Sequence, residues 1–125
     1  EPVGQEKLAE ELGRYHFGLI PFFVERSSQS PEKLKYATAL KLFNFLEAGL
    51  PVVVSKDLGF QSWIAERSGA GLVIGANELD GLAERLKDRS SQDASSARTA
   101  LSIEQQVPRL LAFYEKVSAT PRTVR

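Results

Sequence analysis

Thr38-Ala-Leu-Lys41-Leu-Phe-Asn44-Phe-Leu-Glu-Ala-Gly49-Leu-Pro51-Val-Val-Val-Ser55 decides the fold. Its first half is apolar at helical spacing: Ala39, Leu42, Phe43, Leu46 and Leu50 fall on one face, Phe45 widens it, and Lys41 and Asn44 share the opposite side. Its second half is β-branched and apolar from Pro51 to Val54, as a parallel strand covered on both faces would be. A Gly-x-Pro turn joins the two, with Gly49 placed to end the helix. In such α/β units ligands bind at the carboxyl ends of strands, where the chain passes into a helix. The segment therefore sets both an architecture and a place to look for a site.

Working outward, Glu6 to Leu12 is helical and Gly13 ends it. Phe17 to Phe22 is a short buried strand closed by Pro21, and Glu25 to Ser30 is a polar loop at its carboxyl end. The next helix has two candidate starts. Ser30 is a good N-cap followed by Pro31, while Thr38 is a cap for a shorter helix and is the start preferred. Phe60, Trp63, Ile64 and Arg67 have helical spacing ahead of Gly69-Ala70-Gly71. Leu72 to Ile74 is a further buried strand. Asn77 is expected to cap a helix carrying Leu79, Leu82, Ala83 and Leu86, and Ser90 to Ser96 to be a polar connector. Ser102 and Gln105 read as a capping box for a last helix with Ile103, Val107, Leu110, Leu111 and Tyr114 inward, despite Pro108. Residues 119–125 are expected to be a flexible tail. Three strands interleaved with helices give an α/β fold with a parallel, Rossmann-like sheet and flanking helices. Three strands are few for a sheet buried on both faces, so strands upstream are expected.

Composition sets the outer limits. A chain of 125 residues makes one domain. Sixteen basic and sixteen acidic side chains cancel, so no nucleic-acid partner is expected. The absence of cysteine excludes disulfides, thiolate metal sites and cysteine nucleophiles. No apolar run reaches the ~18 residues that span a bilayer. With no methionine and a start at Glu1, the chain is expected to be a piece of something longer.

The run Lys41 to Ser55 resembles the motif of GT-B glycosyltransferases in which a helix ends in Ala-Gly-x-Pro-Val-Val. Gly18-Leu-Ile-Pro-Phe22 is similar to the strand before the donor loop of those enzymes, Gly69 to Ile74 to their next strand, and Ser102 to Tyr114 to their closing helix. The resemblance covers nearly the whole chain, in order. It implies that residues 1–118 are the second half of the carboxyl-terminal nucleotide-sugar-binding domain of a retaining, metal-independent, hexosyltransferase-like enzyme. An N-terminal acceptor domain of the same protein would lie upstream, and the fragment alone would be inactive. Implied partners are a nucleotide-sugar donor and an acceptor saccharide, lipid or protein. No cofactor is implied. The implied location is cytoplasmic, with any contact at the inner membrane face made through the absent part. Many members place two glutamates seven residues apart here, the first near the sugar and the second on the donor ribose. Tyr36 and Asn44 stand at those positions, and His16 replaces a family aspartate ahead of the earlier strand.

The residues themselves support a matching chemistry. A helix starting at Thr38 offers free backbone amides and a dipole that favour a diphosphate. Lys41 in a first helical turn opposes that dipole by ~0.3–1 kcal/mol unless it meets an anion. Arg26, Lys33 and Lys35 add positive charge on the same rim. Diphosphate binding is therefore expected at Thr38, Ala39, Leu40 and Lys41, with the ribose on Asn44, whose amide both donates and accepts. No metal ligands and no catalytic residue are assigned. Trp63 is expected in the core, His16 as a structural residue ahead of a strand, and Gly69 and Gly71 as turn residues. A non-catalytic partner-binding or receiver-like module is the alternative: Asp57 follows a strand as a phospho-acceptor would, but no acidic pair accompanies it.

Overall fold

In a computed structural model, which describes residues 3–26, 28–89 and 94–119, the chain forms a three-stranded, wholly parallel sheet flanked by helices. Helix α1 (Gln5–Leu12) leads into β1 (Gly18–Ile20). Helices α2 (Pro31–Tyr36) and α3 (Leu40–Glu47) cross to β2 (Val52–Ser55), and α4 (Gly59–Arg67) crosses to β3 (Gly71–Ile74). Then come α5 (Leu82–Lys87), α6 (Ser95–Leu101) and α7 (Ile103–Ala119). Strand order follows the chain, β1-β2-β3, with Gly18 opposite Val52 and Val52 opposite Gly71.

The valine run explains the layering. Val52 and Val54 point to one face and Val53 to the other, because successive side chains of a strand alternate. On the first face they join Ile20, Leu34, Leu42, Leu46, Ile64 and Ala65, so α2, α3 and α4 share one core with α6, which contributes Ala97. On the second face Val53 meets Phe23 and Ile74, with Leu82 and Leu86 of α5 packed against them. All four residues of β2 are buried, whereas in β3 only Ile74 is, so the expectation of a buried strand at Leu72 to Ile74 holds for one residue of three. The physical reason is position: β3 has a strand on one side only.

Helix α3 ends as its sequence reads. Gly49 takes the left-handed conformation (φ 76°), its amide donates to Leu46 O (3.0 Å), and Leu50 N donates to Phe45 O (2.9 Å). That pair of bonds closes the helix's last carbonyls and turns the chain into β2. Gly69 closes α4 in the same way. Gly71, expected in that turn, is instead the first residue of β3.

Several expectations are corrected. The Ser30 start is used, its Oγ accepting from Lys33 N (3.2 Å) to cap α2, but the helix does not run on to Gly49: the chain breaks and a separate α3 begins. Thr38 is not the cap of α3; Ala39 holds that position, and no side chain bonds to the first turn. Ala37 and Ala39 are both extended, so Thr38 lies in the link between the two helices. Asn77 lies inside a short 3-10 turn (Ala76–Glu78), and the helix starts only after Gly81, which is left-handed at φ 74°. Glu78 Oε2 accepts from Gly75 N there, at 2.6 Å.

Ser95 and Ser96 open α6 rather than extend a connector; residues 90–93 of that expected connector lie outside the described residues. Ser102 joins α6 to α7, where its carbonyl accepts from Gln105 N and Gln106 N. Its hydroxyl bonds Glu104 rather than forming the expected box: Glu104's own backbone amide, and after it the Ser102 hydroxyl, hold that carboxyl below the usual range. No residue of α7 is buried, and the face expected to point inward is exposed, because α7 packs against little besides α6. Ala119 belongs to α7, and the rest of the expected tail, 120–125, lies outside the described residues. Trp63 is 53 % exposed, stacked on Phe60 with Arg67 over its ring, while Gln61, Ser62, Ile64 and Ala65 form the buried side of α4.

Candidate functional site

The carboxyl edge of the sheet is built by three links, those after β1, α2 and β2. Asp57, two residues past β2, accepts from Val24 N (3.0 Å) and so fastens the link after β1 to the end of β2. Ser55 supports it from below: its Oγ accepts from Asp57 N (3.2 Å) and its carbonyl accepts from the buried Ser62 hydroxyl (2.8 Å). Asp57, the residue a receiver-like reading would use, thus spends its carboxylate on a backbone amide.

The break between α2 and α3 has a visible cause. In a continuous helix the Ala37 carbonyl would accept from Lys41 N, four residues on. Instead Gln61 Nε2 of α4 donates to Ala37 O (3.4 Å), and the extended backbone at Ala37 and Ala39 carries the chain to a fresh helix start. The first amides of α3 therefore have no intrahelical acceptor. Leu42 N turns back to Ala39 O (3.0 Å), and Leu40 and Lys41 follow the cap with their side chains exposed. Thr38, Ala39, Leu40 and Lys41 thus come together at one uncapped helix start facing the carboxyl edge. Asn44 follows one turn later, half-buried.

Beside this start lies a cavity of about 140 Å³ lined by Phe22, Gln29, Leu34, Ala37, Thr38, Ala39, Leu58 and Gln61. Its walls are mostly apolar, with a few polar groups among them. Gln61 was not anticipated as a site residue. A signal was present, since Leu58, Gln61, Ser62 and Ala65 have i, i+3, i+4, i+7 spacing, which puts two polar residues on a buried stripe. Gln61 is 1 % exposed and its Oε1 has no hydrogen-bond partner.

The remaining sequence candidates are more scattered. Lys33 and Lys35 sit in the last turn of α2, where they suit that helix's own dipole, and Arg26 ends a 3-10 turn after β1. Tyr36 ends α2, largely exposed, with Lys35 Nζ 5.5 Å from its ring centroid. His16 is exposed just ahead of β1. Two larger clefts, about 350 and 380 Å³, flank the α6–α7 junction, one against Phe43, Leu46 and Glu47 and the other against Trp63 and Arg67. Both border the carboxyl-terminal halves of α3 and α4, which lead into the amino ends of strands, the edge opposite to that where open parallel sheets bind ligands.

The model of one protein family, the glucosyltransferase 3-like C-terminal domain, matches residues 1–116. The chain belongs to that family. It is therefore a glycosyltransferase C-terminal domain, and the α/β sheet and the Lys41–Ser55 unit are parts of a glucosyltransferase-like architecture. No curated protein and no solved structure matches the chain. Among the described residues no helix is long and apolar enough to cross a membrane, and no three His, Asp or Glu side chains gather as a metal set.

Proposed function

We propose that this glycosyltransferase domain binds the diphosphate of a nucleotide-sugar donor at Thr38, Ala39, Leu40 and Lys41, with the donor ribose on Asn44. The uncapped start of α3 carries this reading. Backbone amides without acceptors, the positive end of a helix dipole and a lysine in the first turn offer what a diphosphate leaving group needs. As the sugar–phosphate bond breaks, negative charge grows on the diphosphate, and donors fixed in advance at that place lower the barrier. Asn44, one turn along the helix, presents an amide that can donate to one ribose hydroxyl and accept from another. The donor is a hexose nucleotide, in keeping with a glucosyltransferase-like family. A GT-B arrangement, with the acceptor bound by an N-terminal domain of the full-length enzyme and no metal required, belongs to the same proposal.

Calorimetric titration with a nucleoside diphosphate tests it. Lys41→Ala is expected to weaken binding about three- to tenfold, in line with one charge-assisted contact at a solvent-facing site. Unchanged affinity for both Lys41→Ala and Asn44→Ala, in folded variants, would remove α3 from the site.

A further inference from the structure

Helix α7 carries an apolar seam that nothing among the described residues covers. Ile103, Val107, Leu110, Tyr114 and Val117 follow one another at steps of four, three, four and three, which is the heptad spacing of a helix packed along a second helix. These five side chains, and Leu111 and Phe113 beside them, are between 40 % and 72 % exposed. Pro108 falls outside the seam. A contiguous apolar strip running the length of a helix is more than a monomer ordinarily leaves in water, and such strips mark interfaces.

Apolarity alone names no partner, but three further observations do. The heptad spacing calls for a helix as long as the seam, and α7 itself has 17 residues, about 25 Å at 1.5 Å per residue. Among the described residues no other helix exceeds nine residues, so the chain's own matching element is a second α7. The positions flanking the seam, where paired helices set partner choice by charge, are Glu104, Gln106, Leu111, Phe113 and Ser118. Only Glu104 is charged, and it lies at one end, so two copies meet without like charges facing across the seam. The remaining charges of α7 argue against a lipid surface. Glu104 and Glu115 balance Arg109 and Lys116, which leaves no basic face for anionic headgroups.

We infer that α7 pairs with the α7 of a second copy of this chain, seam against seam, with Leu110 and Tyr114 near the middle of the contact. The seam spans two heptads, short for a helix pair, so the association is weak and depends on concentration. Leu111 and Phe113 broaden it on either side, and the tilted Phe113–Tyr114 ring pair, with centroids 6.1 Å apart, presents the bulkiest part of the surface.

Sedimentation equilibrium of the 125-residue chain tests this. The average mass is expected to rise from 13.8 kDa towards twice that value between about 1 and 300 µM. Leu110→Glu places a charge in the seam and should weaken pairing more than about tenfold, whereas Ala112→Glu adds the same charge on the opposite side of α7 and should stay within about twofold of wild type. Circular dichroism checks that both variants keep their helix, and Val117→Glu takes the place of Leu110→Glu if that variant loses it. A wild-type chain that remains at 13.8 kDa up to 300 µM overturns the inference and gives the face to a different partner, such as an upstream domain. So does a folded seam variant that pairs as wild type does, or an Ala112→Glu loss as large as that of Leu110→Glu.

Discussion

Replacing Asp57 by alanine probes the framework on which the site rests. Its carboxylate accepts from Val24 N at 3.0 Å, with both residues half-buried. Removing it leaves one half-buried amide without an acceptor and frees the link after β1 from the end of β2. A hydrogen bond to a charged acceptor contributes about 1.5–3 kcal/mol, and partial exposure places this one nearer the lower limit, about 1–2 kcal/mol. For a domain of this size that amounts to a fall in melting temperature of about 3–10 °C. Asp57→Asn keeps an acceptor oxygen but no charge, so about half that loss is expected. Thermal melts followed by circular dichroism give the magnitude, and hydrogen exchange of the Val24 amide gives the location. Alanine and asparagine variants melting within about 1 °C of wild type, with the Val24 amide still protected, would refute the clamp.

Three further outcomes follow from particular residues. Gly49→Ala is expected to cost about 1–2 kcal/mol in urea unfolding: a new Cβ meets nothing within 4 Å, so the whole penalty is the left-handed backbone at φ 76°. Ile64→Ala, emptying a core position, should cost about 2–5 kcal/mol, while Trp63→Ala next to it should cost less than about 1 kcal/mol, the reverse of what side-chain size alone suggests. Glu104 has its carboxyl held below the ordinary value by its own amide and by Ser102. The contribution of that lowered carboxyl is therefore present above the ordinary carboxylate range and lost as pH falls through the lower folded value. Protection of the first-turn amides of α7, taken relative to their intrinsic exchange rate, should fall as pH drops below the ordinary carboxylate range, and Glu104→Gln should remove that dependence.

Much of the fold was legible because its signals are local. Four consecutive apolar or small residues after Pro51 have no good alternative to a covered strand, and Gly49 can only be a helix end. Helix α6 was not legible, since only Ala97 of its residues is buried and an alanine gives almost no periodic signal. The face of α7 was legible as a stripe but not as a contact: periodicity reports that one side is apolar, never what lies against it. Trp63 failed for the complementary reason, because aromatic size pointed inward while spacing put Gln61, Ser62 and Ala65 on the buried side. At the candidate site, a helix start close to Lys41 was readable from the sequence, though its cap at Ala39 was not. What makes the start is a long-range bond from Gln61 to Ala37, 24 residues away in sequence, and no local pattern carries that.

The central claim is that the start of α3 receives a diphosphate. Titrating the chain with inorganic pyrophosphate and following backbone amides by NMR tests it most directly. The largest shifts should fall on Ala39, Leu40, Lys41 and Leu42, with α5 unmoved. A folded sample in which those four amides stay still, or in which the shifts gather around Arg67 and Arg109, would contradict it.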